Sequence, residues 1–303
     1  MSLRSEGSVL LISCYELGHQ PLGVALPLGF LERAGFKPTV MDIAVEKFDS
    51  ERVTQASFIA ISVPMHTALR LGVRVAARIR ELNPSCHICF YGLYAALNSD
   101  YLLAHSADSC IGGECEKPLT ALVESIESGS KETINGIIRR GVMALPVLEK
   151  LSFAAPVRHG LPPLEKYARL EHDGDSRIAG YAEASRGCLH LCTHCPIPPV
   201  YGGRFFTLPQ EIVLQDIRQQ VKAGATHISF GDPDFLNGPK HSLRVVRAMH
   251  EEFPALTFDF VAKVEHLLTR GEDLPEFAAA GCLFIITAVE SLSDRVLTIL
   301  DKR

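Results

Sequence analysis

Ser185-Arg-Gly-Cys188-Leu-His-Leu-Cys192-Thr-His-Cys195-Pro196 sets three thiols on one short stretch with C-x3-C-x2-C spacing. Three thiolates from a single loop are too few to close a tetrahedral metal site. A four-iron, four-sulfur cluster normally takes four cysteines, so three leave one iron with an open coordination position, which is where chemistry can occur. A structural zinc site is the competing reading, with His190 or His194 as the fourth ligand.

The sequence on the carboxyl side of this loop repeats a strand–helix rhythm. A helix is expected to start at Thr207, with Gln210 three residues on as in a capping box and Pro209 in the first turn. Val213, Leu214, Ile217 and Val221 form its apolar face, and Gly224 ends it. Strands are expected at 227–230, 258–261 and 284–288, with helices around 241–252 and 273–280. That is the pattern of a barrel or partial barrel, whose active site forms at the carboxyl ends of the strands.

Residues 9–127 carry a second alternating pattern. Strands are expected at 9–14, 39–44, 58–63, 87–91 and 109–112, and helices at 21–34, 67–82 and 117–125. Units of this length imply a doubly wound, Rossmann-type parallel sheet with ligands at the carboxyl ends of its strands. Those ends carry glycines, at 92, 112 and 113, which either admit a flat ligand or turn the chain. Between the two patterns, four prolines and the polar run Glu171-His-Asp-Gly-Asp-Ser-Arg177 read as a connection. The expected division is therefore an α/β domain over 1–129, a linker over 130–180 and a partial barrel over 181–303.

The chain has 303 residues, 47% of them hydrophobic, and a net charge of −5, which fits a soluble two-domain protein and does not suggest a nucleic-acid-binding surface. Arg70, Arg74 and Arg78 form a stripe best read as a solvated helix face. No apolar leader follows Met1, and no apolar run approaches the roughly 18 residues of a membrane span. A cytoplasmic protein with reduced or metal-bound thiols is expected. Cys86 and Cys89 lie an odd number apart in a strand, so they should face opposite ways; they and Cys14, Cys110, Cys115 and Cys282 read as core residues.

A doubly wound domain followed by this cysteine motif resembles the cobalamin-domain proteins of the radical S-adenosylmethionine (radical SAM) superfamily. Tyr15-Glu-Leu-Gly-His-Gln-Pro-Leu-Gly23, Ser62-Val-Pro-Met-His66, Phe90-Tyr-Gly-Leu-Tyr94, Phe230-Gly-Asp-Pro-Asp-Phe-Leu-Asn-Gly-Pro239 and Lys263-Val-Glu-His266 are similar to the CUAEP/CCAEP-tail radical SAM family. The resemblance implies that Cys188, Cys192 and Cys195 ligate a 4Fe-4S cluster whose open iron chelates S-adenosylmethionine. One electron, from a donor such as flavodoxin or ferredoxin, would then release a 5′-deoxyadenosyl radical. It also implies His194 beside the adenine, Gly231 with Asp232 or Asp234 at the methionine amino group, Lys263 at its carboxylate, and Glu290 and Ser291 at the ribose. It assigns no catalytic residue to the substrate, which could be a peptide or another small molecule.

Two departures qualify the resemblance. Cobalt-ligating domains use D-x-H-x-x-G, whereas this chain has Glu16-Leu-Gly-His19-Gln-Pro-Leu-Gly23, so ligation by His19 is not expected. Cobalamin could bind without a protein ligand, in which case methyl transfer to an unactivated carbon is the natural net reaction. Only four strand–helix units precede Arg303, fewer than the superfamily's partial barrel has, and the naming tail is absent. The expectation is a truncated sequence with an exposed apolar edge at 283–288. The alternative function is a non-catalytic iron–sulfur or zinc protein with a sensing or assembly role.

Overall fold

The apolar runs of the first half become parallel strands in a computed structural model that describes residues 2–130, 132–149 and 153–301. They are β1 (Val9–Ser13), β2 (Thr39–Asp42), β3 (Phe58–Ser62), β4 (His87–Tyr91) and β5 (Ser109–Ile111), joined by an antiparallel β6 (Ile137–Ile138). The order β2-β1-β3-β4-β5-β6 is doubly wound, and its direction reverses between β1 and β3. Alternation divides the core: Leu10, Ile12, Ile59, Ile61, Ile88 and Phe90 face one side, Val9, Leu11, Phe58, Ala60, Cys89 and Tyr91 the other. Both faces are covered, as a parallel sheet requires.

Cys86 and Cys89 enter opposite cores, as their spacing implies, and burial pushes Cys89 up to about 12, a thiol without nucleophilic character. Cys14 and Cys110 are also buried, whereas Cys115 and Cys282 are only partly so. Arg70, Arg74 and Arg78 are exposed along helix His66–Leu82, and Arg78 stacks on Phe48. The strand-end glycines have packing reasons: Gly92 has φ +103 and Gly113 φ +70, while a Cβ on Gly112 would run into Ala96.

The helix after β1, Leu22–Arg33, contains Pro27. A proline has no N–H, so the Gly23 carbonyl loses its usual α-helical donor. The buried Tyr91 hydroxyl donates to that carbonyl at 2.6 Å. At the amino end, the Pro21 cap offers no side-chain acceptor, and Glu16 reaches from the preceding loop instead. Its carboxylate accepts from Leu22 N at 2.8 Å and Gly23 N at 3.2 Å. Burial nevertheless pushes Glu16 up to about 7. A Cβ on Gly23 would collide with Ser62 Oγ and crowd Glu16.

The second unit, Pro163–Arg303, is built on a curled sheet of order β13-β12-β11-β8-β7. Four strands are parallel: β8 (Asp175–Ala182), β11 (His227–Phe230), β12 (Thr257–Val261) and β13 (Cys282–Ile286). They are the four strand–helix units counted in the sequence. β7 (Arg169–His172) pairs antiparallel with the start of β8. Beyond its reach, Gln220 of helix Gln210–Lys222 accepts from Tyr181 N at 2.7 Å and donates to Tyr181 O at 3.1 Å. A side-chain amide thus replaces a neighbouring peptide. Phe230, Phe235, Phe258, Phe260 and Phe277 pack behind the sheet.

Two expectations differ from this fold. The expected linker 130–180 contributes β6 to the first sheet and β7 and most of β8 to the second, and the contact boundary falls at Pro162 and Pro163. The hydrophilic β7–β8 turn, with Asp173 and Gly174 at positive φ, is a hairpin rather than a tether. Thr207 does not cap a helix. It ends β10 (Phe205–Thr207), which pairs antiparallel with β9 (Ser185–Gly187), and the helix begins at Gln210. Pro209 disfavours helical backbone at Leu208, and two phenylalanines before Thr207 favour a strand.

Candidate active site

The cysteine loop leaves β9 through Gly187, whose φ is +74 and where a Cβ would strike the Arg204 carbonyl. Only glycine makes this turn, and Cys188 N then donates to Arg204 O at 3.1 Å. Asn237 Nδ2 donates to Cys188 Sγ at 3.4 Å. All three thiols are partly buried. Burial pushes Cys195 up, and the nearby Cys188 and Cys192 sulfurs add to the rise against a backbone N–H of Ile197. Three thiols gathered on one loop would need a cationic centre to be held together as thiolates. The donor set therefore fits an iron–sulfur cluster.

The ends of the parallel strands meet this loop. After β11, Gly231 lies where any Cβ would enter the Tyr181 ring. Asp232 is buried, takes the Ala184 N–H at 3.0 Å and the Ser185 hydroxyl, and is pushed up to about 6 by burial. It fastens the segment that carries the cysteines. Asp234 is also buried: Oδ1 accepts from Leu236 N at 3.0 Å, and Oδ2 lies 2.8 Å from His266 Nδ1 and 3.3 Å from His190 Nε2.

After β12, Lys263 Nζ donates to Glu265 at 2.7 Å and lies 3.5 Å from His190 Nδ1. Partial burial works against its charge, but Glu265, Cys192 and Asp234 together hold its pKa above the usual lysine value. His190 is displaced the other way, chiefly by burial, with the nearby Lys263 adding to the fall. After β13, Glu290 Oε1 lies 3.3 Å from His194 Nε2. Glu290 has φ +64, a costly conformation for a side chain with a Cβ, of the kind that gathers at functional sites. Ser291 Oγ accepts from Ser293 N at 3.1 Å and so shapes its own turn.

The structure thus groups Cys192, His190, Asp234 and Lys263, and separately His194 with Glu290. Asp232 sits beneath them as a tie. Sequence reasoning passed over His266, and it considered His190 only as a zinc ligand. It also missed a polar network on the face of the sheet opposite the phenylalanines. There His227 Nε2 and Ser229 Oγ contact Asp259 Oδ2 at 2.8 and 2.6 Å, and His227 Nδ1 contacts Thr257 Oγ1 at 2.8 Å. Alternating polar residues in strands otherwise rich in phenylalanine were the available signal. Among the described residues, the donor atoms that gather within 4.8 Å of one another belong to His190, Asp234 and His266, not to the three thiols. One zinc ion would need its thiolates that close, whereas a cluster binds each thiolate through a different iron.

Comparison with known proteins finds relatives of the same fold. A hopanoid C-3 methylase of Methylococcus capsulatus (strain ATCC 33009 / NCIMB 11132 / Bath) is 23% identical over 294 residues, covering 94% of this chain and 56% of that protein. The radical S-adenosylmethionine methyltransferase TsrM from Kitasatospora setae, solved with tryptophan substrate and the SAM analog aza-SAM, superposes with a TM-score of 0.76 at 18% identity. That match covers 96% of this chain and 60% of TsrM. TsrM solved with cobalamin and a [4Fe-4S] cluster gives a TM-score of 0.73 at 18% identity, over 97% of this chain and 60% of that one. The chain therefore spans a little over half the length of these relatives. The model of the Radical SAM superfamily matches residues 183–303. That match begins at the end of β8, just before the cysteine loop, so it is the second unit of this chain that is similar to the Radical SAM superfamily.

Proposed function

We propose that this protein is a radical SAM enzyme, or the part of one that holds its cofactors. The observation that carries the reading is the convergence of the three-cysteine loop with the carboxyl ends of β11, β12 and β13, through Asn237, Asp234, Lys263 and Glu290. Cys188, Cys192 and Cys195 would hold a 4Fe-4S cluster. When bound, that cluster supplies the electron that splits S-adenosylmethionine to a 5′-deoxyadenosyl radical. Lys263 keeps a positive charge beside the loop, suited to the methionine carboxylate. The Gly231 segment presents backbone where no side chain fits, while the His194–Glu290 pair and Ser291 flank the adenosine end. Asp232 positions the loop rather than the cofactor.

A methylase and a methyltransferase solved with cobalamin among the similar proteins favour methyl transfer as the net reaction, and the carboxyl edge of the doubly wound sheet is where cobalamin would bind. His19 is not its cobalt ligand in this reading. The substrate is a small molecule or a peptide, the electron comes from a flavodoxin or ferredoxin, and the protein works in a reducing cytoplasm. Among the described residues, no helix is long and apolar enough to cross a membrane.

The test is 5′-deoxyadenosine formation after anaerobic reconstitution with iron and sulfide, given S-adenosylmethionine and a strong reductant. Product that disappears in Cys192→Ala is expected. A fully loaded cluster without product would return this chain to the non-catalytic iron–sulfur reading.

A further inference from the structure

We propose that His190, Asp234 and His266 bind one divalent first-row transition-metal ion, such as Fe(II) or Zn(II), separate from the iron held by the cysteines. Three elements bring the donors together: the cysteine loop, the turn after β11 and helix Val264–Thr269 after β12. His266 Nδ1 and His190 Nε2 lie 2.8 and 3.3 Å from Asp234 Oδ2, and the two rings are 4.8 Å apart at 49°. Ligands about 2.0–2.2 Å from a common ion stand roughly 2.9–3.5 Å from each other, so these separations fit shared coordination.

Hydrogen bonding does not account for the arrangement. His190 Nε2, Asp234 Oδ2 and His266 Nδ1 are each buried without a hydrogen-bond partner, although they lie side by side. Their close approach lacks the angular fit of N–H to lone pair, which is what lone pairs aimed at one point produce. Such buried groups are normally satisfied, and an ion would satisfy all three at once. Outer contacts are also in place: Leu236 N fixes the other Asp234 oxygen, and Lys263, the cation nearest His190 Nδ1, is already tied to Glu265. Two imidazoles and one carboxylate suit Fe(II) or Zn(II) and leave positions open for water or a ligand oxygen.

The site can be read without the cluster, so its fate is independent of the radical SAM reading. The full chain carrying Cys188→Ala, Cys192→Ala and Cys195→Ala is stripped with chelator and titrated anaerobically with Co(II). We expect one equivalent of tightly bound cobalt, with visible ligand-field bands and no sulfur charge-transfer band. His266→Ala and Asp234→Asn, with folding checked by circular dichroism, should each weaken cobalt by more than the roughly 10–100-fold that losing an outer contact costs. His266→Ala is the safer variant, because that side chain is only partly buried. No cobalt in the stripped chain, or unchanged affinity in His266→Ala, would overturn the site. So would a loss of S-adenosylmethionine binding in His266→Ala with no cobalt bound to the parent, which would give the triad to that cofactor instead.

Discussion

Tyr91→Phe tests whether one hydroxyl compensates for a proline inside a helix. Tyr91 is buried, and its hydroxyl gives the Gly23 carbonyl the donor that Pro27 lacks. Removing it leaves a partly buried carbonyl short of a partner, at about 1–3 kcal/mol. At about 1.4 kcal/mol per tenfold, the slowest-exchanging amides of β1 and β3 should exchange roughly 5- to 150-fold faster. Hydrogen–deuterium exchange is the appropriate assay, because it reads the first unit without requiring both units to unfold together. The decisive comparison is with Pro27→Ala. An alanine N–H at position 27 restores the helical donor, so Tyr91→Phe should then cost little. A cycle of the two substitutions should therefore show coupling of about 1–2 kcal/mol. Equal cost of Tyr91→Phe with proline and with alanine at 27 would refute the reasoning.

Other expectations concern both units. Cys192→Ala should lose its iron after reconstitution while amide protection in the first unit is unchanged; retained iron would remove Cys192 from the ligand set. Glu16, pushed up to about 7 from 4.5, binds its proton more tightly in the folded state. Stability of the first unit should thus fall as pH rises from about 4.5 to 7, by at most about 3 kcal/mol, and Glu16→Gln should flatten that slope in pH-dependent hydrogen exchange. Gly23→Ala should destabilise the first unit by about 1–3 kcal/mol through contact with Ser62, and Ser62→Ala should recover part of the loss in thermal melts. Lys263→Met should raise the Kd for S-adenosylmethionine by roughly 10-fold or more in equilibrium dialysis, the loss of a charged hydrogen bond; an unchanged Kd would place the carboxylate elsewhere.

Much of the fold could be read from the sequence because its strands are unambiguous. Runs such as Val9–Ser13 and Phe58–Ser62 are buried on both faces, and glycines or prolines close them. The reading failed where context overrode local signals. Thr207 with Gln210 has the form of a capping box, yet its backbone pairs with Ser185 in a two-stranded ribbon three residues long. The hairpin of β7 and β8 looked like linker because its outer residues are charged and solvated. In the site, the cysteines announce themselves by spacing, which is a property of one loop. The histidine pair does not, because His190 and His266 are 76 positions apart and only the turns after β11 and β12 make them neighbours. Asp232 and Asp234 were indistinguishable in sequence, two residues apart on one turn. Packing separated them, one bound to backbone and the other facing the imidazoles.

Gln220 gives the second sheet a direction of growth. By meeting both the N–H and the carbonyl of Tyr181, it occupies the hydrogen-bonding positions that a further strand beside β8 would need, and β7 already covers the stretch before it. That side of β8 is thus occupied by one helix side chain and a short hairpin. Among the described residues, β13, at the opposite margin, has a neighbour on one side only. A parallel strand that extends this sheet, from the same polypeptide or another, would therefore add beside β13, next to the Glu290 turn, since the other margin ends in the short, charged, antiparallel β7. Gln220→Leu would free Tyr181 on that side of β8, and the same chain could then recruit strands from both directions and aggregate edge to edge.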